Sequence, residues 1–189
     1  MGVSENPVWL DSRLTSGKAF DGTWSTALAS VRDVKEPATG QVLSQVGIAS
    51  AADMRAAIDR AHAAQPAWAA MGPRERSAVF HRAAAVFQQH FAELALTITR
   101  ETGSILPKGQ HEVTESITLC HLAAGLPMQA QGQVLPSAPG RLSFARRVPH
   151  GVVGVISPFN FPLILSLRAV APAQALGNAV VLKPDTRTP

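Results

Sequence analysis

Two polar side chains stand at the ends of otherwise apolar segments in the stretch Gly151 to Lys183, GVVGVISPFNFPLILSLRAVAPAQALGNAVVLK. Asn160 follows the apolar run Val152 to Ile156, and Lys183 follows a second run, Ala179 to Leu182. A carboxamide donates hydrogen bonds without titrating, and an ammonium combines several donors with a positive charge. Brought to one place, such a pair is equipped to bind and polarise a ligand, so the question is whether the intervening chain brings them together.

The elements between them do so. Val152 to Ile156 is rich in β-branched residues and suits a strand buried on both faces. A turn follows at Ser157-Pro158-Phe159-Asn160, then a helical segment from Phe161 to about Leu176. Gly177 and Asn178 close it, both residue types that tolerate a left-handed helix end. Ala179 to Leu182 reads as a second buried strand delivering Lys183 to its carboxyl end. The unit is therefore β-α-β, with parallel strands and a right-handed crossover. Parallel strands place both carboxyl ends on one edge, where open α/β sheets bind ligands. The competing reading at this point is that Asn160 only caps the helix and Lys183 only ends a strand at the surface.

Upstream, residues 1–16 are polar and mixed and read as a loosely held arm. Lys18 to Ile48 alternates short apolar segments with turn signals at Asp21-Gly22 and Pro37-Ala38-Thr39-Gly40, the pattern of short antiparallel strands. Ser50 and Asp53 form a capping-box-like helix start, followed by Met54, Ala57, Ile58, Ala61, Ala64 and Trp68 at helical spacing. Pro66 is expected to end or kink that helix. Pro73 opens the next, whose apolar stripe from Phe80 through Phe91 to Ile98 predicts one helix ending at Thr102-Gly103. A helical period of this kind marks packing rather than a cofactor box. A further helix begins near Pro107 and aligns Val113, Ile117, Cys120 and Ala124. From Met128 to His150 the helical pattern breaks. Gln133-Val134-Leu135 and Leu142 to Ala145 flank Pro136-Ser137-Ala138-Pro139-Gly140, a long hairpin signal.

Composition excludes several classes. Of 189 residues, 46% are hydrophobic and 16% charged, enough for one core or slightly more. The formal charge of +4 is spread along the chain and Tyr is absent, which argues against a nucleic-acid footprint. No basic-then-apolar leader pattern and no apolar stretch of membrane-spanning length is present, so the expectation is a cytoplasmic chain off the membrane. A single cysteine, Cys120, excludes an intramolecular disulfide, and six scattered histidines suggest no metal site. Cys120 falls on an apolar helix stripe, where a thiol has a raised pKa and is inert.

The words SPFNFP, APAQALGN and VVLKP, with EPATG at 36–40, ETG at 101–103 and PKG at 107–109, resemble the NAD(P)-dependent aldehyde dehydrogenase superfamily. ETGSILPKG, PSAPGR at 136–141, RVPHGVVGVISPFNFP and LKPDTRTP are most similar to its benzaldehyde dehydrogenase subgroup. The resemblance runs from about Trp9 to Pro189 and implies the amino-terminal part of such an enzyme. The implied fold class is α/β, a Rossmann-like parallel sheet with flanking helices plus a protruding β-hairpin. Residues 1–127 would supply the first strands and helices of the cofactor domain, 128–150 an oligomerisation arm, and 151–189 the first β-α-β unit.

The resemblance also assigns roles. Oxidation of an aldehyde in this family passes through a thiohemiacetal and a thioester, and Asn160 would donate to the oxyanion. Lys183 would reach the adenosine ribose hydroxyls of NAD or NADP. Backbone around Ile156 and Ser157, with Phe159, would line the cofactor cleft. Phe161, Ile164 and Arg168 would face the substrate passage, with packing as the alternative for Phe161 and Ile164. Where NAD-dedicated relatives often carry a ribose-binding glutamate, this chain has Thr186. A carboxylate there would repel a 2′-phosphate and threonine would not, while Arg187 adds positive charge, so tolerance of NADP is expected.

The nucleophilic cysteine, the general-base glutamate and the G-x-T-x-x-G turn of the family fall downstream of Pro189. The chain alone is therefore expected to be poorly stable and unable to oxidise aldehydes. Two other readings remain open from sequence. One is an interaction module that joins full-length subunits through its hairpin, and the other is a free-standing dinucleotide-binding domain.

Overall fold

The computed structural model describes residues 16–20, 24–25 and 29–189. The turn expected at Asp21-Gly22 and nearly all of the arm expected over residues 1–16 lie outside the described residues. Two short antiparallel pairs come first: β1 (Ala19–Phe20) with β2 (Trp24–Ser25), and β3 (Ser30–Lys35) with β4 (Val42–Ile48). Gly40, at φ 76°, takes the left-handed position in the β3–β4 turn that a side chain would resist.

Helix α1 (Ala51–Ala70) starts on the expected capping box, with the Ser50 hydroxyl accepting from the Asp53 amide and the Asp53 carboxylate accepting from the Ser50 amide. Of the end or kink expected at Pro66, the end does not occur, since the helix runs on to Ala70. Tertiary bonds hold its second half in place: Gln65 Nε2 donates to the Gly177 carbonyl at 2.9 Å and Trp68 Nε1 to that of Gln174 at 2.8 Å. These offset the hydrogen bond that proline cannot make. The single helix expected from Pro73 to Thr102 is instead two, α2 (Pro73–Gln89) and α3 (Phe91–Thr102), separated at His90. The apolar stripe runs on past the break, while His90 itself leaves helical geometry at φ −106°, ψ 23° and its ring contacts Glu93. Gly103, at φ 69°, ends α3.

Helix α4 (Leu106–Gly125) is central, packed on α2, α3 and, later in the chain, α5 (Pro162–Ala175). Phe80, Ala123, Ala124, Ala171 and Ala175 form one buried cluster, and Ala95, Ile98 and Val113 a second. The stripes read from sequence are thus core. Gly109 permits the α3–α4 approach, since a Cβ there would lie 2.3 Å from the Ala95 carbonyl oxygen.

Strands β5 (Gly132–Leu135) and β6 (Ser143–Arg146) pair antiparallel as the expected hairpin. β7 (Val152–Ile156) and β8 (Ala179–Lys183) pair in parallel, in the register Val152↔Ala179 to Ile156↔Lys183, with α5 between them. Two expectations fail here. β8, expected as a buried strand, has no buried residue and leaves Leu182 exposed. β7 is not buried on both faces: Val155 is buried, but Ile156 is 80% exposed, because β7 and β8 form a sheet of two strands packed mainly against α1 and α5.

Candidate functional site

The end of α5 sets the spacing of the parallel pair. Gly177, at φ 92°, reverses the chain, and Asn178 locks the reversal from both sides. Its Nδ2 donates to the Ala173 carbonyl at 2.9 Å, and its Oδ1 accepts from the Gly151 amide, at the start of β7, at 3.1 Å. At the opposite edge the Ser157 amide donates to the Lys183 carbonyl at 3.1 Å, carrying the ladder one residue past the strands. Lys183 is therefore level with Ile156 and Ser157, and Asn160 lies in the bend three residues further on. Both side chains belong to the carboxyl edge of β7 and β8, and both residues are exposed. Asn160 is not the helix cap, because α5 begins at Pro162 with Phe161 in the capping position. Lys183 Nζ donates to the neighbouring Pro184 carbonyl at 3.0 Å.

The turn between β7 and α5 is fixed from behind. Ser157 is buried, its hydroxyl 2.7 Å from that of Ser166, which donates to the Pro162 carbonyl at 2.6 Å. The side chain of Ser157 is thus committed to packing, and only its backbone could face a ligand. Phe159 is partly exposed beneath Arg187, whose Cζ lies 3.6 Å from the ring centroid. Ile164 is buried in the fold, Phe161 is half-buried and Arg168 is exposed.

Three residues at this edge escape sequence reasoning. Glu112 on α4 is 0% exposed and accepts from the amides of Leu163 at 3.1 Å and Ile164 at 3.4 Å. Pro162, first in α5, has no N–H, so Glu112 takes the first two amides that the helix start offers. Lys108 pairs with the same carboxylate, and its Nζ sits 4.5 Å from the Phe161 ring centroid. Anions commonly bind at helix amino termini. Here the protein's own carboxylate fills that position, so a phosphate would have to be held elsewhere on the edge. A signal existed in the sequence: Glu112 shares the buried face of Ser116 and Cys120 at four-residue spacing, a charge on an apolar stripe. The third residue is Arg32 of β3, whose Nη1 donates to Thr186 Oγ1 at 3.0 Å across 154 positions of sequence. Nothing local announces it.

The electrostatics sort these groups. Arg187 forks onto Asp185 at 2.9 and 3.0 Å, and that hydrogen bonding holds the Asp185 carboxyl down at about 2. Arg187 is thus neutralised, contrary to the free positive charge expected of it. Burial pushes the Cys120 thiol up to about 11, which leaves it protonated and unreactive at neutral pH. The Lys183 ammonium and Thr186 hydroxyl, beside exposed Ile156 and Phe159, are donors that could hold a ribose with an apolar ring system alongside.

Residues 24–189 match the aldehyde dehydrogenase family, and the chain belongs to that family. Among its relatives, vanillin dehydrogenase of Amycolatopsis sp. is 53% identical over 180 residues, 95% of this chain and 37% of that protein. The NAD(+) benzaldehyde dehydrogenase of Pseudomonas putida is 44% identical over 98% of this chain and 37% of its own length. A crystal structure of an NAD-dependent benzaldehyde dehydrogenase from Corynebacterium glutamicum superposes with TM-score 0.85 at 38% identity, covering 93% of this chain and 38% of that one. The chain spans little more than a third of the length of these relatives. Among the described residues no helix is long and apolar enough to cross a membrane.

Proposed function

We propose that this chain forms the cofactor side of an NAD(P)-dependent aldehyde dehydrogenase that oxidises an aromatic, benzaldehyde-like substrate to the acid. The observation that carries the reading is the common edge of Asn160 and Lys183, fixed by the parallel register Ile156↔Lys183. Asn160 supplies a carboxamide donor where negative charge develops on the aldehyde oxygen. Lys183 and Thr186 hold the adenosine ribose, while the backbone at Ile156 and Ser157, with Phe159, lines the Rossmann-like cleft. The bound dinucleotide supplies the hydride acceptor. Phe161 and Arg168 border the substrate passage, whereas burial of Ile164 gives that residue a packing role in the same wall. The division into 1–127, 128–150 and 151–189 accompanies this reading. Residues 128–150 serve as the arm between subunits of a homo-oligomer, supported by the exposed apolar residues Val134, Leu142 and Phe144.

A chimera tests the reading: residues 1–189 joined to the remaining part of the Amycolatopsis vanillin dehydrogenase. It is expected to form NAD(P)H with benzaldehyde or vanillin, while the 189-residue chain alone forms none. Asn160→Ala in the chimera should lower kcat by ~10²–10³ and leave the KM for cofactor nearly unchanged. An Asn160→Ala rate equal to that of the parent chimera would remove the oxyanion role.

A further inference from the structure

We propose that Arg32 is a cofactor-specificity residue: held at the strand edge by Thr186, its guanidinium takes up the 2′-phosphate of an adenine dinucleotide and favours the phosphorylated cofactor. The proposal rests on the reading of Lys183 and Thr186 as the ribose site.

The geometry singles out Arg32 from the other cations at this edge. Arg187 has its fork occupied by Asp185 and its face by Phe159. Lys183 turns toward the Pro184 carbonyl beside it. Arg32 is exposed on β3, opposite Val46, and gives one donor to Thr186 Oγ1 at 3.0 Å. Among the described residues no carboxylate pairs with it, so the remaining donors of its fork are uncommitted. A planar guanidinium with free donors matches a phosphate bidentately, which an ammonium does not. A nearby arginine is also the feature that accommodates a 2′-phosphate in dinucleotide folds, in place of an acidic ribose ligand. With Arg187 cancelled by Asp185, Lys183 and Arg32 leave two positive charges against the two negative charges of the phosphate.

Thr186 has a second part in this arrangement. Its hydroxyl accepts from Arg32 and so keeps a proton free to donate. A glutamate at 186 would pair with Arg32 instead and close the position to phosphate.

Calorimetric titration of the chimera with the Amycolatopsis vanillin dehydrogenase remainder, using 2′,5′-ADP and 5′-AMP, provides the test. At low salt 2′,5′-ADP is expected to bind about 10- to 100-fold more tightly, the range of one or two charge-assisted hydrogen bonds. That preference should shrink as salt rises, a readout that needs no variant. Arg32→Ala should erase the preference with 5′-AMP affinity unchanged, and Arg32→Lys should keep part of it. Equal affinity for the two nucleotides, or a preference that survives Arg32→Ala, overturns the inference while leaving the ribose site standing. Binding of neither nucleotide overturns both.

Discussion

On the inner face of α4 the side chains are closed in: Val113 and Cys120 are fully buried, and even Glu112 is sealed between two helices. Along β5, β6 and the last residue of β7 the reverse holds, with Val134 at 76% and Ile156 at 80% exposure. The two regions have similarly apolar sequences, so hydrophobicity does not separate them. What separates them is the number of covering layers. The inner face of α4 meets three helices, α2, α3 and α5, whereas the parallel pair has α1 and α5 on it and two open edges. Stability in this chain is thus concentrated in the helical layer, and the groups suited to ligand chemistry stand on the less covered strands.

Substitutions can break that contrast. The largest effect is expected from Glu112→Ala, which leaves the Lys108 ammonium without its partner and orphans two amides of α5. Breaking such a buried pair from one side costs about 3–5 kcal/mol, measurable as a lower midpoint of urea unfolding. A loss below about 1 kcal/mol would mean that Glu112 is not what fastens α5 to α4.

A middle effect concerns Glu101, buried in the last turn of α3. Burial raises its carboxyl from the ordinary 4.5 to about 8, so the folded chain keeps a proton that the unfolded chain gives up. Stability from the neutral form is complete below about pH 4.5 and is lost as pH rises toward about 8. Glu101→Gln, neutral throughout, should flatten the decline in stability between about pH 5 and about pH 8, and an unchanged slope would place the titration elsewhere. The smallest effect is expected from Ile156→Ser, within about 0.5 kcal/mol despite the loss of a large apolar side chain, because that side chain is already in water.

The contrast also explains what the sequence revealed. Local signals were sufficient for the β-α-β order, the Ser50–Asp53 cap, the hairpin and the inert Cys120, since each is decided within a few turns of chain. Pro66 does not end α1 because the bonds that carry the helix past it come from Gln174 and Gly177, more than 100 residues away. The break at His90 was hidden because the apolar stripe continues across it. Glu112 and Arg32 act at separations of 51 and 154 residues, and no spacing rule reaches that far. The exposure of Ile156 is invisible in the sequence, since a β-branched run has the same composition whether its second face is covered or bare.

Gly109 has no functional group, yet it governs the distance between α3 and α4. A methyl group there would meet the Ala95 carbonyl at 2.3 Å and Thr99 Oγ1 at 2.7 Å, and the helices would have to part. Glu112 lies one turn further along the same helix, so a displacement would carry its carboxylate away from Leu163 and Ile164 and loosen the bend that presents Asn160. The aim of a hydrogen-bond donor on the surface is in this way calibrated by the smallest residue in the interior, some fifty positions earlier in the chain.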